Sequence, residues 1–214
     1  MKSNKNRKVI AKVKDEGLVE SRREQILKAA RKVFTVKGYH KATIKDICEV
    51  SGLGPGTIYN YVNKKEDILY LIYNKMEMTI GKVLFEAFRD IKTPPDQQLK
   101  ELLRRTIDLA CENQDLVLLI YQETAALDKE SLYNVLSRQR NVVMQWETIL
   151  KRAKESGVIQ SESAFLTGDI IVYLSAFIPL RGWNLRKQFD LEETKSGLLN
   201  FILKALCFTE KKKR

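Results

Sequence analysis

Residues 51–61 read SGLGPGTIYNY. Three glycines and a proline fall between positions 52 and 56, and two tyrosines follow at 59 and 61. The flanking sequence has apolar residues at helical spacing, so this run interrupts helices. Such an interruption can be a loop that cradles a phosphate, a plain break between two core helices, or the turn of a DNA-reading unit. A phosphate loop needs a buried strand before it and, in its nucleoside-triphosphate form, a Gly-Lys-Ser/Thr ending. Here a short polar helix precedes, and Gly56 is followed by Thr57 and Ile58. The break and the turn remain.

Working outward, Thr43 with Asp46 three residues on opens a short helix through Ile44, Ile47 and Cys48 that ends near Gly52. Thr57–Val62 makes a second. A helix-turn-helix needs a short helix, a turn of three or four residues and a second helix, and Thr43–Gly52, Leu53–Pro55 and Gly56–Val62 supply those parts. Upstream, Ser21 with Glu24 reads as a capping box that opens a helix through Ile26, Leu27, Ala30, Val33 and Phe34, closed by Gly38.

The rest of the chain is helical by the same pattern, and no strand-like alternation is sustained. Helices are expected at 64–89, 95–112, 115–126, 128–156, 163–187 and 190–207. The 64–89 helix reads as a connector, and Asp190 with Glu193 is a second capping box. The fold class is all-α with about nine helices. Residues 1–19 read as a basic flexible arm, 20–66 as a helix-turn-helix DNA-binding domain, and 67–210 as a ligand-binding and dimerisation domain.

Charge supports a polyanionic partner. The 214 residues carry a net +11, of which residues 1–70 hold 16 Lys/Arg against 8 Asp/Glu. The stretch Met1–Lys14 has six basic residues and no acid; it can track phosphates, enter a minor groove or remain a solvated tail. No apolar run reaches the roughly 20 residues a bilayer span needs. Cys48, Cys111 and Cys207 form no CxxC pair, and His40 is the single histidine. That pattern is neither a disulfide framework nor a metal site and points to reduced thiols in the cytoplasm. Residues 90–214 lack histidine altogether, so acid–base or triad catalysis lacks its usual member. No catalytic residue and no cofactor is assigned.

The stretch TIKDICEVSGLGPGTIYNYVNKKEDIL, Thr43–Leu69, together with FTVKGYHKAT at 34–43, resembles the signature of the tetracycline-repressor-like (TetR) family of transcriptional regulators. The likeness is strong over about residues 20–70. It implies a three-helix DNA-binding domain followed by a helical ligand-binding and dimerisation domain. It places Thr57, Tyr59 and Asn60, with the backbone of Gly54, Pro55 and Gly56, toward bases or adjacent phosphates. Thr43, Lys45, Tyr61 and Lys65 match positions that grip the DNA backbone, while Ile58 and Val62 point into the core with Ile44 and Ile47. Val62 stands where the family usually has phenylalanine, and Pro55 replaces a more typical polar residue. The recognition helix carries no arginine, the commonest reader of guanine, so sequence preference rests on Asn60, the tyrosines and DNA shape.

In the second domain, the helices at 163–187 and 190–207 are apolar nearly all round and must be covered on every side. Two per subunit make a four-helix homodimer interface. A dimer places two recognition helices on half-sites about 34–36 Å apart or a multiple of it, hence a palindromic double-stranded operator. The family implies an effector pocket, with Tyr121, Gln122, Gln139, Trp146, Tyr173, Phe177, Arg181 and Trp183 as candidate lining. Gln139 falls on the stripe of Leu132, Leu136, Val143 and Trp146, where a polar group needs a partner. The segment from Tyr121–Thr124 to Gly157–Ile159 is similar to TetR-type regulators of fatty-acid metabolism, which implies an acyl-CoA effector. The competing readings are an efflux-type regulator of apolar cations, with Glu123 and Asp169 as acids, and a helical ligand-binding module without DNA function.

Overall fold

The computed structural model describes residues 7–90 and 92–210. Its regular structure is entirely helical among the described residues. The helices are α1 (Glu16–Lys37), α2 (Ile44–Ser51), α3 (Pro55–Ile58), α4 (Lys65–Arg89), α5 (Pro95–Glu112), α6 (Gln114–Glu123), α7 (Lys129–Glu155), α8 (Ala164–Ser175), α9 (Phe177–Leu185) and α10 (Leu191–Ala205). A single 3-10 turn, Thr124–Ala126, joins α6 to α7. The helix beyond the nine expected arises where one apolar helix was read over 163–187. That run is α8 and α9, bent by 42°. Pro179 has no N–H to give the carbonyl of Ser175 one turn back, and its ring crowds that carbonyl, so the ladder breaks there. No single helix among the described residues is long and apolar enough to cross a membrane.

The chain forms two compact units, Met1–Met76 with Leu118–Ser137, and Glu77–Val117 with Arg138–Arg214. These differ from the sequence division at 66/67, because α4, α6 and α7 each run from one unit into the other.

In the first unit, α1 starts earlier than the Ser21–Glu24 box. Asp15 is the N-cap and accepts from the Leu18 N–H, so the box lies inside the helix and the segment expected as arm is helical from residue 16. Residues 1–6 lie outside the described residues; residues 7–14 are non-helical and, as shown below, tied down. The helix buries Ile26, Ala29, Ala30, Val33 and Phe34, one stripe at three- and four-residue spacing. The α2 capping box is present as read: Thr43 accepts from the Asp46 N–H, and the Asp46 carboxylate accepts from the Thr43 N–H. Gly52 ends α2 at φ 71°, a left-handed conformation that costs a residue with a Cβ about 1–2 kcal/mol. Ile47, Ile58 and Val62 are buried as expected, as are Ile68, Leu69 and Tyr70 of α4; Ile44 is half-buried.

In the second unit, α5 packs on α8, α9 and α10. The core gathers Leu99, Leu102 and Ile107 of α5, Val142, Trp146 and Leu150 of α7, Ile171 of α8, and Leu198 and Ile202 of α10. Gly168 sets the spacing of α7 and α8. A Cβ there would stand 3.0 Å from the Trp146 Cβ and 3.3 Å from the Val143 carbonyl.

Candidate nucleic-acid interface

The recognition segment is shorter than the helix expected over 56–62. α3 is a single turn with Pro55 at its start, where a missing N–H costs nothing. The coil then continues in mixed form: the N–H groups of Asn60 and Tyr61 reach back three residues, to Thr57 and Ile58, and that of Val62 reaches back four, to Ile58. This tightening turns the last side chains relative to an α-helix.

Thr43, Lys45, Gly54, Pro55, Gly56, Tyr59 and Asn60 are all exposed, and Thr57 is half-buried. They lie at the start of α2 and along the α3 turn, and the phenol of Tyr59 is 40% exposed. Of the two acids in this segment, Asp46 and the exposed Glu49, Asp46 is paired locally. The Lys37 ammonium at 2.5 Å, with the Thr43 hydroxyl and N–H, holds its carboxyl down at about 2.

Two expected DNA-gripping residues are placed otherwise. Tyr61 is 5% exposed and packs in the core with Ile58 and Val62; the tightened turn carries its ring inward. Lys65 spends its ammonium on the chain itself. It donates to the carbonyls of Tyr39 (2.8 Å), Ala42 (2.9 Å) and His40 (3.3 Å), and it lies 4.4 Å from the Tyr39 ring centre. It fastens the α1–α2 corner.

Most of the expected effector residues face outward, and the Arg181 guanidinium lies 5.2 Å from the Trp183 ring centre. Of the eight, only Trp146 is buried; Tyr121, Gln122, Gln139, Tyr173, Phe177, Arg181 and Trp183 are exposed. On α7 the inward stripe is Ser131, Val135, Val142, Trp146, Ile149 and Ala153, with Arg138 half-buried along it, so Leu136 and Gln139 face outward. Tyr173 and Phe177 instead join Leu166 and Ile170 in an exposed apolar row on α8 and α9, with Phe201 exposed on α10.

Sequence reading missed Glu77. Both its carboxyl oxygens are buried without a hydrogen bond, and the Arg138 guanidinium stands 3.9 Å away. Burial pushes this carboxyl up to about 8, against the opposing pull of Arg138. The Trp146 indole N–H is likewise buried and unpaired. The signal was available: position 77 continues the inward α4 stripe of Tyr70 and Tyr73 toward Leu84, where a charge is out of pattern.

Residues 26–70 match the family described as bacterial regulatory proteins, tetR family, and residues 92–177 match the tetracyclin repressor-like C-terminal domain. The chain is 26% identical over 191 residues to the HTH-type transcriptional regulator HbdR of Aromatoleum sp. (strain CIB), covering 89% of this chain and 83% of that one. It shares its fold with a bacterial regulatory protein in the tetR family from Rhodococcus RHA1, at TM-score 0.76 and 17% identity over 88% of this chain and 98% of that one. It shares it also with the transcriptional regulator FadR from Bacillus subtilis in complex with stearoyl-CoA, at TM-score 0.68 and 22% identity over 84% and 96%. With a helix-turn-helix geometry in the first unit and both family models matched, at residues 26–70 and 92–177, the chain belongs to the TetR family of DNA-binding transcriptional regulators.

Proposed function

We propose that this chain is a non-enzymatic cytoplasmic repressor that binds a palindromic operator as a homodimer and is released by an amphipathic effector of the acyl-CoA class. The exposed run from Thr43 and Lys45 to Tyr59 and Asn60 carries the DNA reading: it is polar, rich in glycine backbone and built on a capped helix-turn-helix. Thr57, Tyr59 and Asn60 meet base edges, and Gly54, Pro55 and Gly56 let the backbone come close to phosphates. Thr43 and Lys45 hold the DNA backbone, while Tyr61 and Lys65 support them from behind.

The homodimer reading rests on the apolar row. Leu166, Ile170 and Tyr173 are 57%, 48% and 59% exposed, and Phe201 is 61% exposed. Leu166 and Ile170 also line a groove of about 810 Å³ with Ile159, Leu174, Ile202 and Leu206. A patch of this character is a protein-contact surface, and a second copy supplies the matching row by symmetry.

Acyl-CoA is suggested by the FadR complex, which holds stearoyl-CoA in the same fold. Glu77 and Trp146 are among the buried polar groups left without a hydrogen bond, which a bound molecule would satisfy. One observation favours an apolar cation instead: a carboxyl pushed up to about 8 is neutral until a cation arrives to pair with it. Fluorescence anisotropy decides between them, using a duplex that the protein itself selects from a random-sequence pool. Stearoyl-CoA releasing the duplex, with free coenzyme A inert, fits the first reading. Release by tetraphenylphosphonium alone moves the effector to the second. Failure to select any duplex removes the regulator reading.

A further inference from the structure

The backbone of residues 7–12 does not hang loose from the first unit, because Arg7 is anchored inside it. The Arg7 guanidinium pairs with Asp67 at 2.5 Å and lies 4.8 Å from the Tyr70 ring centre, with its side chain 12% exposed. Asp67 is itself 2% exposed and accepts from the Asn63 and Lys64 N–H groups at the start of α4. The Arg7 backbone is fixed at both ends: its N–H donates to Asn134 Oδ1 at 3.2 Å, and its carbonyl accepts from the Tyr70 hydroxyl at 3.1 Å. Five residues on, the Lys12 N–H donates to the Asn60 carbonyl at 2.8 Å. Between these points Val9 is buried, and its carbonyl accepts from the Arg23 guanidinium, which also donates to the Tyr61 carbonyl at 3.0 and 3.2 Å.

A one-turn helix needs such help. The coil that continues it to Val62 satisfies the carbonyls of Pro55, Thr57 and Ile58, so the last carbonyls left over are those beyond Ile58, and nucleating so short a coil is unfavourable. The carbonyls of Asn60 and Tyr61, directly behind the exposed Tyr59 and Asn60 side chains, are the ones held from outside. We propose that residues 7–12 are a positioning strap for the recognition turn, with Arg7 as its buried anchor and the Lys12 N–H as its working end. The strap sets where Tyr59 and Asn60 stand and touches no phosphate through Arg7.

This inference rests on the DNA-binding reading only for its affinity arm; amide exchange in the free protein tests it without DNA. Lys12→Ala removes the charge and keeps the N–H, whereas Lys12→Pro removes both, so the difference between the two reports the strap bond. In Lys12→Pro and Arg7→Ala, exchange of the Tyr61 and Val62 amides rises about tenfold or more. Affinity for the selected duplex falls about tenfold in both. The salt slope of binding does not change in Arg7→Ala, and Lys12→Ala stays within about twofold of the parent in exchange and affinity. Unchanged exchange at 61–62 in Lys12→Pro overturns the strap. So does an Arg7→Ala variant whose salt slope drops by about one per protomer, since that is the mark of a phosphate contact. Should Arg7→Ala not fold, the Lys12 pair decides alone. Should no duplex be selected, the DNA reading fails while the exchange measurement still judges the strap.

Discussion

The two units present surfaces of contrasting chemistry. The first exposes glycine backbone, hydroxyls, an amide and Lys45 around a single helical turn, and Asp46 beside them is held ionised by Lys37. The second exposes a row of large apolar side chains on α8, α9 and α10 and hides an acid, Glu77, that burial keeps protonated. The first surface suits a partner whose phosphates attract charge and whose base edges accept directed hydrogen bonds. The second suits a partner that removes water from hydrocarbon. One chain thus divides its contacts: electrostatics and hydrogen bonds on one unit, the hydrophobic effect on the other.

The largest effect is expected from breaking the apolar side. Ile170→Asp puts a charge into the row between Leu166 and Tyr173, and sedimentation equilibrium should then find a monomer at micromolar concentration. Operator affinity should fall about 100-fold or more, since each protomer alone keeps one half-site. A dimer of undiminished stability would assign the row to some other contact.

Glu77 sharpens the contrast next. Its carboxyl takes up its proton near 4.5 when unfolded and near 8 when folded. The folded state therefore holds more protons between those values, and stability falls as pH rises through that window. Glu77→Gln should be more stable than the parent at pH 8 by about 1–3 kcal/mol and near parity at pH 4.5, read from urea unfolding at both. Equal differences at the two pH values would mean the carboxyl titrates normally.

The smallest change is on the polar side. Lys45→Ala should cost about 1 kcal/mol or less of operator affinity and lower the salt slope by about one per protomer, with sequence preference intact. A loss of preference at constant slope would make Lys45 a base reader.

Local chemistry was legible in the sequence. The Thr43–Asp46 and Asp190–Glu193 capping boxes, the left-handed Gly52 and the inward Ile47, Ile58 and Val62 all depend on residues a few positions apart. Misreadings arose where distant contacts decide. Lys65 resembles a free cation until Tyr39 and Ala42 are folded beside it. Arg7 belongs to a flexible tail until Asp67 and Asn134 close on it, 60 and 127 positions away. Tyr61 depends on how a one-turn helix ends, a balance of three- and four-residue hydrogen bonds that propensity does not resolve. On α7 the inward stripe passes through Arg138, one position from Gln139, and 27 residues of helix leave many phases open to a periodic reading. A proline at 179 is a helix breaker by its chemistry, but where the break falls, one turn earlier, depends on the lost hydrogen bond to Ser175.

The central claim is that the Tyr59–Asn60 surface reads sequence. It is tested most directly by an anisotropy titration of the double variant Tyr59→Ala, Asn60→Ala against the selected duplex and a scrambled one at the same ionic strength. The preference for the selected duplex should fall about tenfold or more while scrambled-duplex affinity holds. An unchanged preference would place sequence recognition elsewhere in the molecule.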